Sequence, residues 1–163
     1  MRTKITLAVA LLLFIGQACN TKVEKQENTE SNPSEQAIFP RGEAGNADNF
    51  TGNAYNYGLV ANDSIYNTLV GNVYFEQSAR SNWHFHPSGQ ILIVLDGVGY
   101  HQLEGQPRET MKKGDVIKVP ANTRHWHGAT ENNSLTQMYI LPKTENGFVT
   151  WLEPVTEDTY SAK

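Results

Sequence analysis

The sequence predicts an all-β domain, a sandwich or barrel, on three observations. Short runs rich in β-branched and aromatic residues follow one another between Tyr66 and Leu141. Turn residues punctuate them at short intervals, and helix signals are scarce after Ile38. Strands spaced this way, without helical stretches between them, argue against a parallel βαβ sheet.

The chain opens on a segment that stands apart from that domain. Arg2 and Lys4 precede an apolar run from Leu7 to Ile15, shorter than the roughly 20 residues a spanning helix needs. Residues 1–18 therefore read as a signal peptide. Gly16-Gln17-Ala18-Cys19 resembles a bacterial lipobox, with Cys19 as the lipidated residue; the alternative is an ordinary secretory signal cleaved near Ala18. Residues 19–37, with Val23 among Asn, Glu, Lys, Gln and Ser, bury too little apolar surface to fold and read as a flexible linker. The expected setting is an exported protein tied by lipid to a bacterial membrane, facing the periplasm or cell surface. Removal of Arg2 and Lys4 would take the net charge from −4 to −6.

Composition narrows the function. Hydrophobic residues make up 39% of the chain and charged residues 18%, enough for a packed core. After residue 4 no block of Lys and Arg occurs, which argues against nucleic acid as a partner. The single cysteine rules out an intrachain disulfide and a thiolate metal cage, so any metal must be held by nitrogen and oxygen.

The domain is expected over residues 38–156. Asn46 to Gly58 is rich in turn formers, and strands are expected at Tyr66–Glu76, His84–His86, Gln90–Leu95, Gly99–Leu103, Asp115–Val119 and Leu135–Leu141. Between them lie Pro87-Ser88-Gly89, Asp96-Gly97, Lys113-Gly114, Pro120-Ala121-Asn122 and Glu131-Asn132-Asn133. Asp96-Gly97 between apolar strands predicts a hairpin. Residues 157–163 read as a frayed tail.

Four of the five histidines form two His-x-His pairs, His84-Phe85-His86 and His125-Trp126-His127. Residues i and i+2 of a strand share a face, so each pair aims two imidazoles the same way. Gln90 follows His86 across a turn that can return it beside the pair.

Here the chain resembles the cupin family, whose first motif runs Gly-x5-His-x-His-x3-Glu-x6-Gly. His84, His86, Gln90 and Gly97 keep that spacing, with Ser78 at the first glycine and Gln90 at the glutamate. In the second motif, Gly-x5-Pro-x-Gly-x2-His-x3-Asn, Gly114, Pro120 and His125 match, while Asn122 and Ala129 replace the glycine and asparagine. Asparagine tolerates left-handed turn geometry better than most residues. The resemblance covers about residues 40–155 and implies a jelly-roll-like double-stranded β-barrel. The His-His-Gln-His set is similar to that of small single-domain cupins related to manganese-dependent hydroxynitrile lyases.

That resemblance implies a divalent transition metal on His84, His86, Gln90 and His125, with manganese first and iron, nickel, zinc and copper also compatible with these donors. Gln90 is either a direct ligand or a hydrogen-bond partner of a ligand histidine. His127 is the candidate catalytic acid or base, its alternative being a hydrogen-bonded core histidine. Gln137 stands where those lyases carry a further histidine, and glutamine does not exchange a proton at neutral pH. By strand alternation Gln137 and Tyr139 should face the pocket, with Tyr74 or Val73 at its floor, and Trp126 and Phe85 should face outward. Trp151 is expected in a closing segment or dimer contact and His101 at the surface. The function expected is a metal-dependent enzyme acting on a small organic molecule, lyase-like; the alternatives are a dioxygenase and a non-catalytic binding cupin. A homodimer is expected from the family.

Overall fold

The computed structural model describes residues 37–162. The signal peptide, Cys19 and the linker up to residue 36 lie outside the described residues. Among the described residues no helix is long and apolar enough to cross a membrane.

Among the described residues, twelve strands follow in order: β1 (Glu43–Ala44), β2 (Phe50–Thr51), β3 (Ala54–Val60), β4 (Thr68–Phe75), β5 (Arg80–Ser81), β6 (His84–Phe85), β7 (Gln90–Leu103), β8 (Glu109–Lys112), β9 (Val116–Val119), β10 (His125–Ala129), β11 (Leu135–Pro142) and β12 (Thr150–Trp151). One sheet runs β1-β3-β4-β11-β7-β9. The other places β7 between β8 and β10; β5 and β6 pair with β10, β2 with β5, and β12 with β6. Every pairing is antiparallel, the arrangement that lets one face pack on a core while the other meets solvent.

The expected hairpin at Asp96-Gly97 does not form. Gln90–Leu95 and Gly99–Leu103 are two halves of the 14-residue β7, which crosses from the first sheet to the second. Its Ile91–Gly97 stretch pairs with β11, whereas Gly99–Leu103 pairs with β10. The ladder with β11 shifts register between Thr136 and Gln137, and Gly97 adopts a φ of 81°. A side chain at Gly97 would collide with the Ser134 carbonyl. The signal was a real departure from extended backbone, but it bends a strand between sheets instead of reversing it. Segment 46–58, read as turn-rich, carries β3, whose pairing with β4 outweighs its Asn and Gly content.

Phe75, Val94, Met111, Leu135, Ala79 and Ala129 form the core cluster. A second cluster of Trp126, Val155 and Tyr160 packs against Trp83 and Tyr100. It includes the segment expected to fray. Glu157–Ser161 is a short helix, α1, capped by the Thr156 hydroxyl, which accepts from Thr159 N at 3.2 Å. Tyr160 is 2% exposed and its hydroxyl donates to the Ala129 carbonyl at 2.8 Å. The outward face of β10 presents Trp126, a large apolar surface that α1 covers. Replacing Tyr160 with alanine is expected to cost about 3 kcal/mol, as for a buried aromatic cut to a methyl. Urea denaturation reads it; a loss under about 0.5 kcal/mol, the size of an ordinary surface effect, would contradict this packing.

Candidate metal centre

Two turn positions prepare the site. Ser78 and Asn122 replace motif glycines, and both adopt the left-handed conformation, with φ of 65° and 55°. The backbone geometry is thus kept without glycine, at less cost for asparagine than for serine.

The two histidine pairs meet because β6 and β10 are neighbours with His84 directly opposite His125. Their rings lie 4.2 Å apart by centroid. His86 is 5.1 Å from His84 and 5.5 Å from His125 by the same measure, and His127 is 5.2 Å from His84. Ring nitrogens of His84, His125 and His127 all lie within 4.8 Å of one another. Gln90, at the start of β7, turns its carbonyl oxygen to His125 Nε2 at 3.0 Å.

Hydrogen bonds determine which nitrogen of each ring is available. His84 Nδ1 lies 2.9 Å from the Asn82 carbonyl, His125 Nδ1 2.9 Å from the Thr123 carbonyl, and His86 Nδ1 2.6 Å from the Phe148 carbonyl. A carbonyl only accepts, so in each neutral ring the proton is on Nδ1 and the lone pair on Nε2. His86 Nε2 is buried without a partner, and His125 Nε2 faces another acceptor, the Gln90 oxygen. Convergent, unpaired acceptors are costly to bury and are what a divalent cation requires. The residues present therefore fit a metal.

Burial also keeps the rings neutral. Desolvation, with smaller contributions from neighbouring imidazoles, lowers His84 and His127 well below the ordinary imidazole value. Desolvation lowers His86 too, opposed by its hydrogen bond to the Phe148 carbonyl. It takes His125 to about 3 and His101 to about 4. Neutral imidazole is the ligating form.

Above the cluster opens a cavity of about 500 Å³. His84, His86, Gln90 and His127 line it together with Tyr139, Val73, Phe50, Leu69, Leu141, Phe148 and Trp151. Tyr139 and Val73 are where alternation put them, whereas Tyr74 lies outside, with the Arg41 guanidinium 4.4 Å from its ring. Gln137 faces the interior but does not line the cavity; its amide nitrogen lies 2.5 Å from His127 Nδ1. Two expectations need correction. Trp151, expected in a closing segment or dimer contact, pairs with His84 across β12 and β6, its ring tilted 40° to the imidazole with centroids 4.8 Å apart, so it is a wall of the site. His101, expected at the surface, is 4% exposed and lies opposite His127 on β7. Alternation carried on from Gln90, Leu92 and Val94 would turn His101 outward; the irregularity at Gly97 shifts the inward positions to Gly99 and His101, which no sequence motif marks.

Comparison with known proteins agrees with this picture. The Cupin domain family model matches residues 71–140. The (R)-mandelonitrile lyase of Granulicella tundricola is 41% identical over 88 residues, spanning 54% of this chain and 67% of that protein. An acireductone dioxygenase of Acidiphilium cryptum is 31% identical over 85 residues, and the match spans 50% of this chain and 45% of that protein. The crystal structure of a cupin-like protein from Thermotoga maritima superposes with a TM-score of 0.76 at 43% identity, covering 78% of this chain and 100% of that one.

Proposed function

The chain belongs to the cupin family, and from that premise we propose that it is a divalent-metal-dependent enzyme acting on a small organic molecule with lyase-like carbonyl or cyanohydrin chemistry. The observation that carries this reading is the grouping of His84, His86 and His125, each with its Nδ1 facing a main-chain carbonyl and its Nε2 free of that bond, with the Gln90 oxygen beside His125 and a cavity lined by His84, His86 and Gln90. These four residues are the proposed ligands, with manganese the proposed metal. A metal held by them would act as a Lewis acid toward a carbonyl or hydroxyl oxygen.

The chain's own residues do the rest. The walls of Phe50, Leu69, Leu141, Phe148 and Trp151 bind an apolar body and exclude water. Tyr139 brings a hydroxyl to the cavity, and burial raises its pKa so that it stays protonated. Among the described residues, Glu43 is the one charged side chain in the lining. With no Lys or Arg in the lining, no side chain pairs with an anionic group on the substrate, and the apolar walls suit an uncharged body held beside the metal position, which supports the lyase-like reading.

Elemental analysis of purified protein, followed by mandelonitrile cleavage and oxygen-uptake assays, tests this. Bound metal with cyanohydrin turnover supports it; oxygen uptake without cleavage transfers the protein to the oxygenase reading. Gln90→Glu is expected to hold the metal at least about tenfold more tightly, because a carboxylate adds charge to a neutral donor set. Unchanged affinity in a competition titration would place Gln90 outside the ligand set. At Gly71 a side chain would collide with the Tyr139 ring. Gly71→Ala should push that ring into the cavity and raise KM several-fold more than it lowers kcat.

We also propose an exported, lipid-anchored setting, supported by residues 1–19, and a homodimer, supported by family membership. Cys19→Ser should release the protein from the membrane fraction, and light scattering reads the oligomer.

A further inference from the structure

We propose that Gln137 holds His127 in the tautomer that carries its proton on Nε2, making His127 a fixed hydrogen-bond donor to the cavity instead of a metal ligand. By distance alone His127 belongs with His84 and His125, since the three offer nitrogens within 4.8 Å of one another. Its hydrogen bonding separates it from them. The Nδ1 atoms of His84, His86 and His125 each face a main-chain carbonyl, which takes a proton from the ring. The Nδ1 of His127 faces the Gln137 amide nitrogen at 2.5 Å, and an amide nitrogen gives a proton. His127 therefore keeps its Nδ1 lone pair for Gln137 and its proton on Nε2, where it has no lone pair for a metal.

The burial of Gln137 supports a dedicated role. It is 0% exposed on β11, opposite Val73 and Val94 in the neighbouring strands, and its Oε1 has no partner. A buried amide is costly where an aliphatic side chain would fit, and here its hydrogen bond goes to His127. Phe75 packs edge-on against the imidazole, ring centroids 5.6 Å apart at 87°, which limits its rotation. Gln137 is thus a positioning residue, and His127 is the group that would meet the bound molecule. A donor held beside the metal position would select molecules with an oxygen or nitrogen acceptor there and would stabilise negative charge developing on it.

The reading of the ligand set rests on the proposal above, but the tautomer does not, because it is measurable in metal-free protein. Two-dimensional 15N–1H spectra of histidine-labelled full-length protein should show His127 Nδ1 as pyridine-type and Nε2 as pyrrole-type, opposite to His84 and His125. Gln137→Glu replaces the donor with an acceptor and should invert the His127 pattern, leaving the other histidines unchanged. Gln137→Met, which keeps the volume, should give a mixture of both tautomers if the carboxylate variant does not fold. A second readout is zinc binding by competition. His127→Phe should leave affinity within about threefold of the parent, while in the Gln137→Glu background the same change should lower it at least about tenfold, because there His127 Nε2 has become available. A His127 carrying its proton on Nδ1 in the parent protein overturns the proposal. So does loss of zinc on His127→Phe alone.

Discussion

Replacing His84 with alanine is expected to abolish metal binding, taking metal content from about one equivalent to near zero and turnover with it, since a catalytic site of this kind needs each protein ligand. His84 is 1% exposed, lies opposite His125 in the ladder, and packs against Trp151, so no other side chain can move into its place. The affinity loss should exceed the 10- to 100-fold typical of residues that merely orient a ligand. His84→Gln fills most of the same volume and separates lost ligation from lost packing. His86→Ala provides an independent check at the cavity surface. Retention of both metal and activity by His84→Ala would remove the whole site assignment.

The second large effect is acid instability of the metal-free protein. All five histidines are buried, and desolvation holds each below its ordinary value. The unfolded chain therefore binds protons that the folded chain refuses, and stability falls as pH falls below about 6.5. It is fully present above that value and is lost progressively until the folded-state values are reached, about 4 for His101 and about 3 for His125. Between pH 7 and pH 5 those two alone should remove about 4 kcal/mol, and the other three act in the same direction. That is a large part of the 5–15 kcal/mol that holds a typical domain together. Urea midpoints measured across this range with chelator present should fall steeply, and added metal should shift the fall to lower pH because protons and metal compete for the same nitrogens. A flat profile would mean that the rings are not held neutral by burial.

Much of the site was legible in the sequence because its chemistry is periodic. Two His-x-His pairs in strands must each present two rings to one face, and the motif spacing set Gln90 and His125 beside them. What local pattern could not supply was which strands become neighbours. Trp151 reaches His84 only because β12 pairs with β6, a contact between residues far apart in the chain. His101 is buried because β7 continues through Gly97, where local rules expected a reversal. Tyr160 is ordered because Trp126 offers it a surface from another strand. In each case a tertiary pairing overrode a local preference. Gln137 was placed inward correctly, but whether it lined the cavity or backed a histidine depended on side-chain packing that alternation does not encode.

The continuity of β7 also bears on the order of events during synthesis. Its 14 residues pair with β8, β9, β10 and β11, strands that all follow it in the chain. His84, His86 and Gln90 therefore emerge from the ribosome without the strands that hold them, and the fourth residue of the proposed set, His125, arrives with β10. A ladder built from such distant pairings closes slowly, on the millisecond-to-second scale of high-contact-order β proteins. The nascent chain has no assembled centre to load, so a metal held by the proposed set would be acquired as one of the last steps in maturation, after β10 has paired with β6 and β7.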